Sequence, residues 1–460
     1  MKTKITLLLA ALFIGLNIGF AQQDEECMTK LSIFHEYVKA KNYDAAYEPW
    51  MTVRNKCPKF NNAIYVDGEK ILTDKIDNAT GADKATYLND LIKLWEERGE
   101  HFSSKTPKGE YGAKACQLMY DNREVLNKTN EELYACFDAV YQADKATFTH
   151  PQSLYTYFSL MVDLFDAGKK PAEDLFNKYD DIVEKVEDEV KNYSESLNVL
   201  IEKEEAGTEL TSKEGQYKAY YESYLEAYDQ ISAGVDEKMG TRANCEILIP
   251  LYQKGFEENK TDAEWLQSAM NMMYQKECTD DPLFVKIVEQ KNSIAPDANT
   301  AFYVGILKDK QGKSNEAISF YKQAIDLETD NFKKSNLNNK IALKLKAKGS
   351  YSQARTFFRE ALRLNPSNGR PYLFIAAMYA ASANDCGDTN FNKRAVYWLA
   401  AEEAQKAARV DSKLSGSAAQ SAASYMAKAP SKAEIFSAGN SGEVIKIGCW
   451  IGASVTVPKM

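Results

Sequence analysis

The side chains best suited to metal binding, redox exchange or nucleophilic attack in this 460-residue sequence are eight cysteines and three histidines. The cysteines never occur as CxxC, which removes zinc ribbons and thioredoxin-like redox motifs. His35, His101 and His150 lie far apart, and none belongs to an HExxH or H-x-E pattern that would aim two ligands or a base at one point. Gly312-Lys313-Ser314 ends like a phosphate loop, but Leu307 stands where the earlier glycine is required and no strand precedes it. Neither GxSxG nor GxGxxG occurs. Glu184, Glu187, Asp188 and Glu189 alternate with lysines along a helical stretch and read as a solvated face. The expectation is a protein with no catalytic residues, no metal ligands and no cofactor, and so not an enzyme.

The cysteines do obey a geometric rule. In an antiparallel helix pair, residues equidistant from the turn lie side by side. Cys27 and Cys57 are centred on Asn42, within the Lys41-Asn42-Tyr43 break. Cys116 and Cys136 are centred on Leu126, beside the break at Asn127–Asn130. Cys245 and Cys278 are centred between Thr261 and Asp262. Three hairpin-closing disulfides are therefore predicted, leaving Cys386 and Cys449 to clip the C-terminal tail to the last helices. An unstrained bridge closing a hairpin of this size stabilises by about 3–4 kcal/mol. Buried free thiols are the alternative.

Disulfides require an oxidising compartment, and the N-terminus supplies a route to one. Lys2 and Lys4 open the chain, Ile5–Phe20 is largely apolar, and Gly19-Phe20-Ala21 offers a small-x-small cleavage site. That pattern predicts a secretory signal peptide at 1–21, cleaved after Ala21, and a periplasmic or secreted protein. Cys27 follows Asp24-Glu25-Glu26, so no lipobox precedes it. Loss of Lys2 and Lys4 takes the formal charge from −9 to −11. An acidic chain without a basic block speaks against nucleic acid and against adsorption to anionic lipid. After cleavage no stretch is long and apolar enough to span a bilayer, though peripheral association with an outer membrane stays open.

Elements that could position a binding surface are written as a repeat. In residues 299–366, Gly305, Ala317 and Ala324 are spaced by twelve and then seven, and Ala342, Ala354 and Ala361 keep the same spacing. Gly312 and Gly349 separate the two halves of each copy, with Tyr321 and Phe358 as aromatic anchors. This resembles the tetratricopeptide repeat (TPR), a helix–turn–helix unit in which small residues let helices approach closely. Phe34, Ala46 and Val53 keep the spacing in a divergent copy at 27–58, where Pro49 is expected to kink or delay the second helix. Between these copies, Leu175, Tyr179, Ile182, Val186, Val190, Tyr193, Leu197 and Leu200 recur every three or four residues. Tyr217, Tyr221, Tyr224, Tyr228 and Ile231 do the same after a break, so the two stretches read as a long antiparallel helical hairpin. The tail at Glu443–Ile451 and Ser454–Val457 reads as a short β-hairpin, with Cys449 in its first strand.

The predicted fold is all-α: a TPR-like α-solenoid of helix hairpins, with an inserted long helical hairpin and a short C-terminal β-hairpin. Its predicted parts are the signal peptide at 1–21, divergent N-terminal TPR-like helices at 22–100, and a helical region at 101–240 containing the coiled-coil-like hairpin (171–234). A C-terminal TPR array at 241–413 and a capping helix with β-hairpin tail at 414–460 complete it. The resemblance implies a protein-binding groove lined by first-helix residues. These are Asn299, Phe302, Ile306 and Asp309 in one copy, Asn336, Asn339, Leu343 and Lys346 in the next, and Arg370 and Leu373 in a third. It implies an interaction scaffold or adaptor of the cell envelope of Gram-negative bacteria, holding a partner protein's peptide or helix. The alternative is an envelope glycan or small-ligand binding module of the SusD-like kind. Whether the C-terminal hairpin caps the array or offers a pairing edge is left open by the sequence.

Overall fold

A computed structural model describes residues 25–460, and the signal peptide reading at 1–21 lies outside the described residues. The chain forms two compact units, one ending at Tyr179 and the other beginning at Asp180.

In the first unit, helices follow one another through short turns: α1 (residues 25–39), α2 (Tyr43–Lys56), α3 (Ala63–Asn78), α4 (Gly81–His101), α5 (Lys108–Asp121), α6 (Asn130–Ala143) and α7 (Pro151–Asp166). Their boundaries follow local chemistry. The Asn42 side chain caps α2, Thr129 and Glu132 form a reciprocal cap at α6, and His150 caps α7 ahead of Pro151. Helix α2 starts at Tyr43 and continues through Pro49, so the delayed start does not occur. Trp50 is the centre of the first core. Its indole Nε1 donates to the Ile64 carbonyl at 2.7 Å, and Gly68 lies so close that a Cβ there would come within 2.6 Å of the ring. Buried Arg54 is held by Asp90 and Glu97 at 2.9 and 2.7 Å. A second core stacks Phe137, Tyr141, Phe148 and Tyr157.

Two long helices, α8 (Ala172–Glu205) and α9 (Ser212–Met239), form the predicted hairpin, the unit boundary falling near the start of α8. At 1.5 Å per residue the 34-residue first arm is about 50 Å long. Thr211 and Glu214 cap α9 reciprocally, and Lys203–Glu214 and Lys218–Glu204 pair the arms near the turn. Tyr193 on α8 contacts Tyr220, Tyr221, Tyr224 and Tyr228 on α9. Tyr228 is fully buried, whereas Tyr217 and Tyr220 remain nearly half exposed. Glu189, expected on a solvated face, is instead buried against Lys185, with the ammonium 2.6 Å away. Burial of an acid is tolerable there because the i, i+4 lysine neutralises it.

Shorter helices complete the second unit. They are α10 (Cys245–Asn259), α11 (Ala263–Gln275), α12 (Pro282–Ile294), α13 (Ala298–Lys310), α14 (Ser314–Leu327), α15 (Asn331–Ala347) and α16 (Tyr351–Leu364). After them come α17 (Arg370–Ala381), the one-turn α18 (Ala383–Cys386), α19 (Asn390–Val410), α20 (Ser415–Lys428) and α21 (Lys432–Ala438). The two clear repeats are α13–α14 and α15–α16. Gly305 meets the Tyr321 ring in the first, and Ala342, Ala354 and Phe358 are buried in the second. Strands β1 (Val444–Ile447) and β2 (Ala453–Thr456) pair antiparallel, Val444 opposite Thr456. The fold is thus all-α and TPR-like, with a long helical hairpin and one small β-hairpin.

The four expected cysteine pairs, three read from spacing and the fourth left over, all stand at disulfide distance, with Cα separations of 6.5, 5.9, 5.4 and 5.1 Å for Cys27–Cys57, Cys116–Cys136, Cys245–Cys278 and Cys386–Cys449. One detail differs. Cys449 follows β1 and occupies the connection to β2 with φ of +49°, not the strand itself.

Candidate functional site: a cleft beside the long hairpin

The ten residues expected to line a groove do not share one surface. Phe302 is 2% and Ile306 5% exposed. The Phe302 ring packs against Tyr274, Tyr303 and Tyr321, so it joins the repeats and offers no open face. Asp309 accepts the Tyr321 hydroxyl at 2.9 Å and pairs with Lys348 at 2.6 Å, which ties one repeat to the next. Leu373 packs on Ala376, Ala401, Ala404 and Ala422, and the Lys346 ammonium lies over the Phe374 ring. Leu343 is half-buried and Asn299 exposed.

Asn336, Asn339 and Arg370 do converge. They line a cleft of about 380 Å³ within the second unit, bounded on one side by α8 and α9 and on the other by α15, the α16–α17 link and the end of α19. Asn336 and Asn339 lie three apart on α15, so they share a face with Phe332. Arg370 begins α17, where Gly369 permits close approach: a Cβ there would be 2.8 Å from that of Asp411. The hairpin contributes Val186, Glu187, Val190, Ser194 and Leu197 from α8 and Glu222, Leu225 and Asp229 from α9. These were not anticipated as site residues. Their signal was present in the three–four recurrence of Val186, Val190 and Leu197, with Glu187 and Ser194 seven apart beside it. The sequence does not state which surface that stripe would face.

Polar contacts hold the cleft's walls. Lys191 on α8 pairs with Asp330, the cap of α15. Burial alone would raise the Asp330 pKa, but Lys191 and the Lys333 amide outweigh it and hold the carboxyl below its ordinary value. Asn198 accepts the Ser367 N–H at 2.9 Å. Asp229 on α9 receives Lys413 at 2.6 Å and Arg370 at 3.7 Å. Deeper in, Leu197, Ile201, Leu225 and Val410 form a small apolar cluster with Tyr372 beside it. Burial raises the pKa values of Asp411 and Glu222 despite the Gly369 N–H donating to Asp411 at 3.3 Å and the Ser412 hydroxyl donating to Glu222. The Asn339 Oδ1 is shielded from solvent and has no hydrogen-bond partner among the described residues.

Chemically, this arrangement offers groups for hydrogen bonding and ion pairing. It contains carboxylates, amides and hydroxyls but no histidine or cysteine. The three histidines stay apart: His35 Nδ1 is 2.6 Å from Asp67, His101 lies beside the Tyr65 ring, and His150 caps α7 with its pKa lowered by burial. Among the described residues no cluster of histidine, cysteine and acid side chains is arranged to hold a metal ion. No helix among them is long and apolar enough to cross a membrane.

Neither a family model nor a curated protein matches the sequence. Solved structures with weak likeness include a tetratricopeptide repeat protein from Parabacteroides merdae, at 14% identity and a TM-score of 0.24 over 69% of this chain and 97% of that one. Human IFIT1, solved as a dimer with m7Gppp-AAAA, aligns at 12% identity and 0.30 over 83% and 70%. Yeast Tom70 aligns at 13% identity and 0.26 over 91% and 84%. At such scores none of these bears on function, and the helical-repeat character rests on the chain's own helix pairs and their small-residue contacts.

Proposed function

We propose that the chain is a non-enzymatic interaction scaffold of the periplasm or cell envelope of a Gram-negative bacterium, which holds a peptide or helix of a protein partner against α15 and α17. The observation that carries this reading is the convergence of Asn336, Asn339 and Arg370, from two successive first helices, on one cleft. Amide side chains on a helix face can pair with a partner's backbone, and half-buried Val190 adds apolar surface beside them. The four cysteine pairs support an oxidising compartment. The glycan reading draws less support, since Phe332, the aromatic residue of the cleft lining, is only 8% exposed and presents little ring face to a sugar.

The test is site-specific photo-crosslinking of the mature chain in envelope extract. A photoreactive residue at Asn336 should trap a discrete adduct, while one at Lys322, exposed on α14, should not. Arg370→Ala should weaken the Asn336 adduct. Equal trapping from both positions would overturn the assignment of the binding face. Phe302 and Ile306 are unsuitable probes, because charging a buried position tests folding.

A further inference from the structure

We propose that the long hairpin is a gate over its own array. Its outer arms cover the face of α15 and α17, and a partner helix binds there only when they lift. This deepens the scaffold reading, on which it rests.

Size gives the first argument. A helix with its side chains is about 10–12 Å across and rises about 5.4 Å per turn, so each turn fills roughly 400–600 Å³. The closed cleft, at about 380 Å³, seats no more than about one turn. A helix of this chain already stands over the face a partner would use. Val186, Val190, Ser194 and Leu197 of α8 line the cleft across from Phe332, Asn336 and Asn339 of α15.

The second argument is how the hairpin is held. In the apolar cluster at the contact, Leu197, Ile201 and Leu225 come from the hairpin, and the array adds Val410 with half-buried Tyr372. Polar fastenings surround it: Lys191 with Asp330, Asn198 with the Ser367 N–H, and Asp229 with Lys413 and Arg370. The ion-paired side chains are partly exposed, where such pairs are weak and screened by salt. The two arms, by contrast, hold each other without the array, through Tyr193 against the tyrosines of α9 and the Lys203–Glu214 and Lys218–Glu204 pairs. Their base is anchored, with Ile182, Val235 and Met239 buried. The hairpin thus has joined arms, a fixed base and an outer contact made largely of reversible polar pairs. Binding under such a gate is weakened in proportion to the fraction of chains that are open, so releasing the fastenings raises affinity.

Lift and occlusion are both measurable on the full mature chain. Dyes on p-azidophenylalanine at Glu209, in the turn between the arms, and at Lys322 on α14 report the hairpin's position by energy transfer. A fluorescein-labelled peptide of residues 183–205, the first arm itself, is the probe for a vacated face. Lys191→Glu combined with Asp229→Lys places like charges at the fastenings and leaves α15 and α17 unaltered. This double variant should shift the energy transfer to a second population and bind the peptide roughly tenfold tighter than wild type, with helical content unchanged. Adding Lys413→Glu restores one ion pair and should partly reverse both effects, which a merely destabilised chain would not do. Glu226→Lys, at an exposed acid of α9 outside the cleft, should change neither. The gate is overturned if the double variant lacks either effect, or if Glu226→Lys produces them as strongly. Neither readout uses the partner, so a missing Asn336 adduct in envelope extract and a failed gate are told apart.

Discussion

Asn198, on the first arm of the hairpin, accepts the backbone N–H of Ser367 at 2.9 Å across 169 positions of sequence. Ser367 is buried in the short link between α16 and α17, where its amide has no helical carbonyl to meet. The hairpin therefore completes the repeat array's backbone hydrogen bonding there. Asn198→Ala leaves a buried donor unsatisfied and should cost about 1–3 kcal/mol, whereas Asn198→Asp keeps an acceptor and should cost less. Chemical denaturation measures the first effect, and faster hydrogen exchange at the Ser367 amide measures its location. Wild-type stability with unchanged exchange would mean that the bond does not hold the hairpin.

Within the first clear repeat, Gly305 and Tyr321 set the distance between α13 and α14. A Cβ on Gly305 would lie 2.5 Å from the Tyr321 ring. Gly305→Ala gains up to about 1 kcal/mol of helix propensity, but overpacking should reverse that for a net loss of about 1–3 kcal/mol. Gly215 in α9 is the internal control, having nothing within 4 Å of its Cβ direction. Gly215→Ala should raise the melting temperature slightly while Gly305→Ala lowers it. The same sign for both would remove the close-approach account of the repeat glycine.

What could be read from the sequence was whatever is encoded by spacing along one chain. The small residues of the two repeats, the hairpin's three–four recurrence and the cysteine midpoints are all local geometry. Residues Ser431 to Gly439 could also have been read, since Ser431 and Glu434 form a reciprocal cap and Gly439 ends α21 in the left-handed region. The cleft was not legible, because it depends on which face of α8 meets which repeat. Phe302 and Ile306 show the limit: helix position placed them on a binding face, and the stacking of neighbouring helices buried them. Glu189 fails similarly, its lysine partner being visible in sequence but its burial decided by tertiary packing.

Asp180 gives the second unit a pH-dependent element. Burial pushes its carboxyl up to about 6, against an opposing hydrogen bond from the Ser268 hydroxyl, with Glu184 and Asp181 adding to the rise. Between the ordinary value of 3.8 and about 6 the folded state holds a proton that the unfolded chain releases. Stability from this group is therefore greatest below about pH 4 and is lost as pH rises through 6. Asp180→Asn should stabilise by about 1–2 kcal/mol at pH 7.5 and change little at pH 4. Melting curves of both proteins at the two pH values check this, and an equal shift at each pH would contradict it.

The tail is fastened twice, and the two fastenings should be separable. Cys386–Cys449 spans 63 residues, and loop-closure entropy assigns such a bridge about 4 kcal/mol. Independently, Arg355 donates to the Ile451 and Trp450 carbonyls at 2.5 and 3.1 Å, and the Trp450 ring contacts both Tyr351 and Tyr379. The Trp450 indole also donates to Ser382 at 2.9 Å. Because these contacts need no disulfide, the Cys386→Ser, Cys449→Ser double variant should lower global stability yet keep the β-hairpin docked. Adding Arg355→Ala removes the two carbonyl contacts and should release it, seen as rapid proteolytic clipping near residues 440–460. Clipping already complete in the double variant would show that the bridge alone holds the hairpin. Protection persisting in the triple variant would show that aromatic packing around Trp450 suffices.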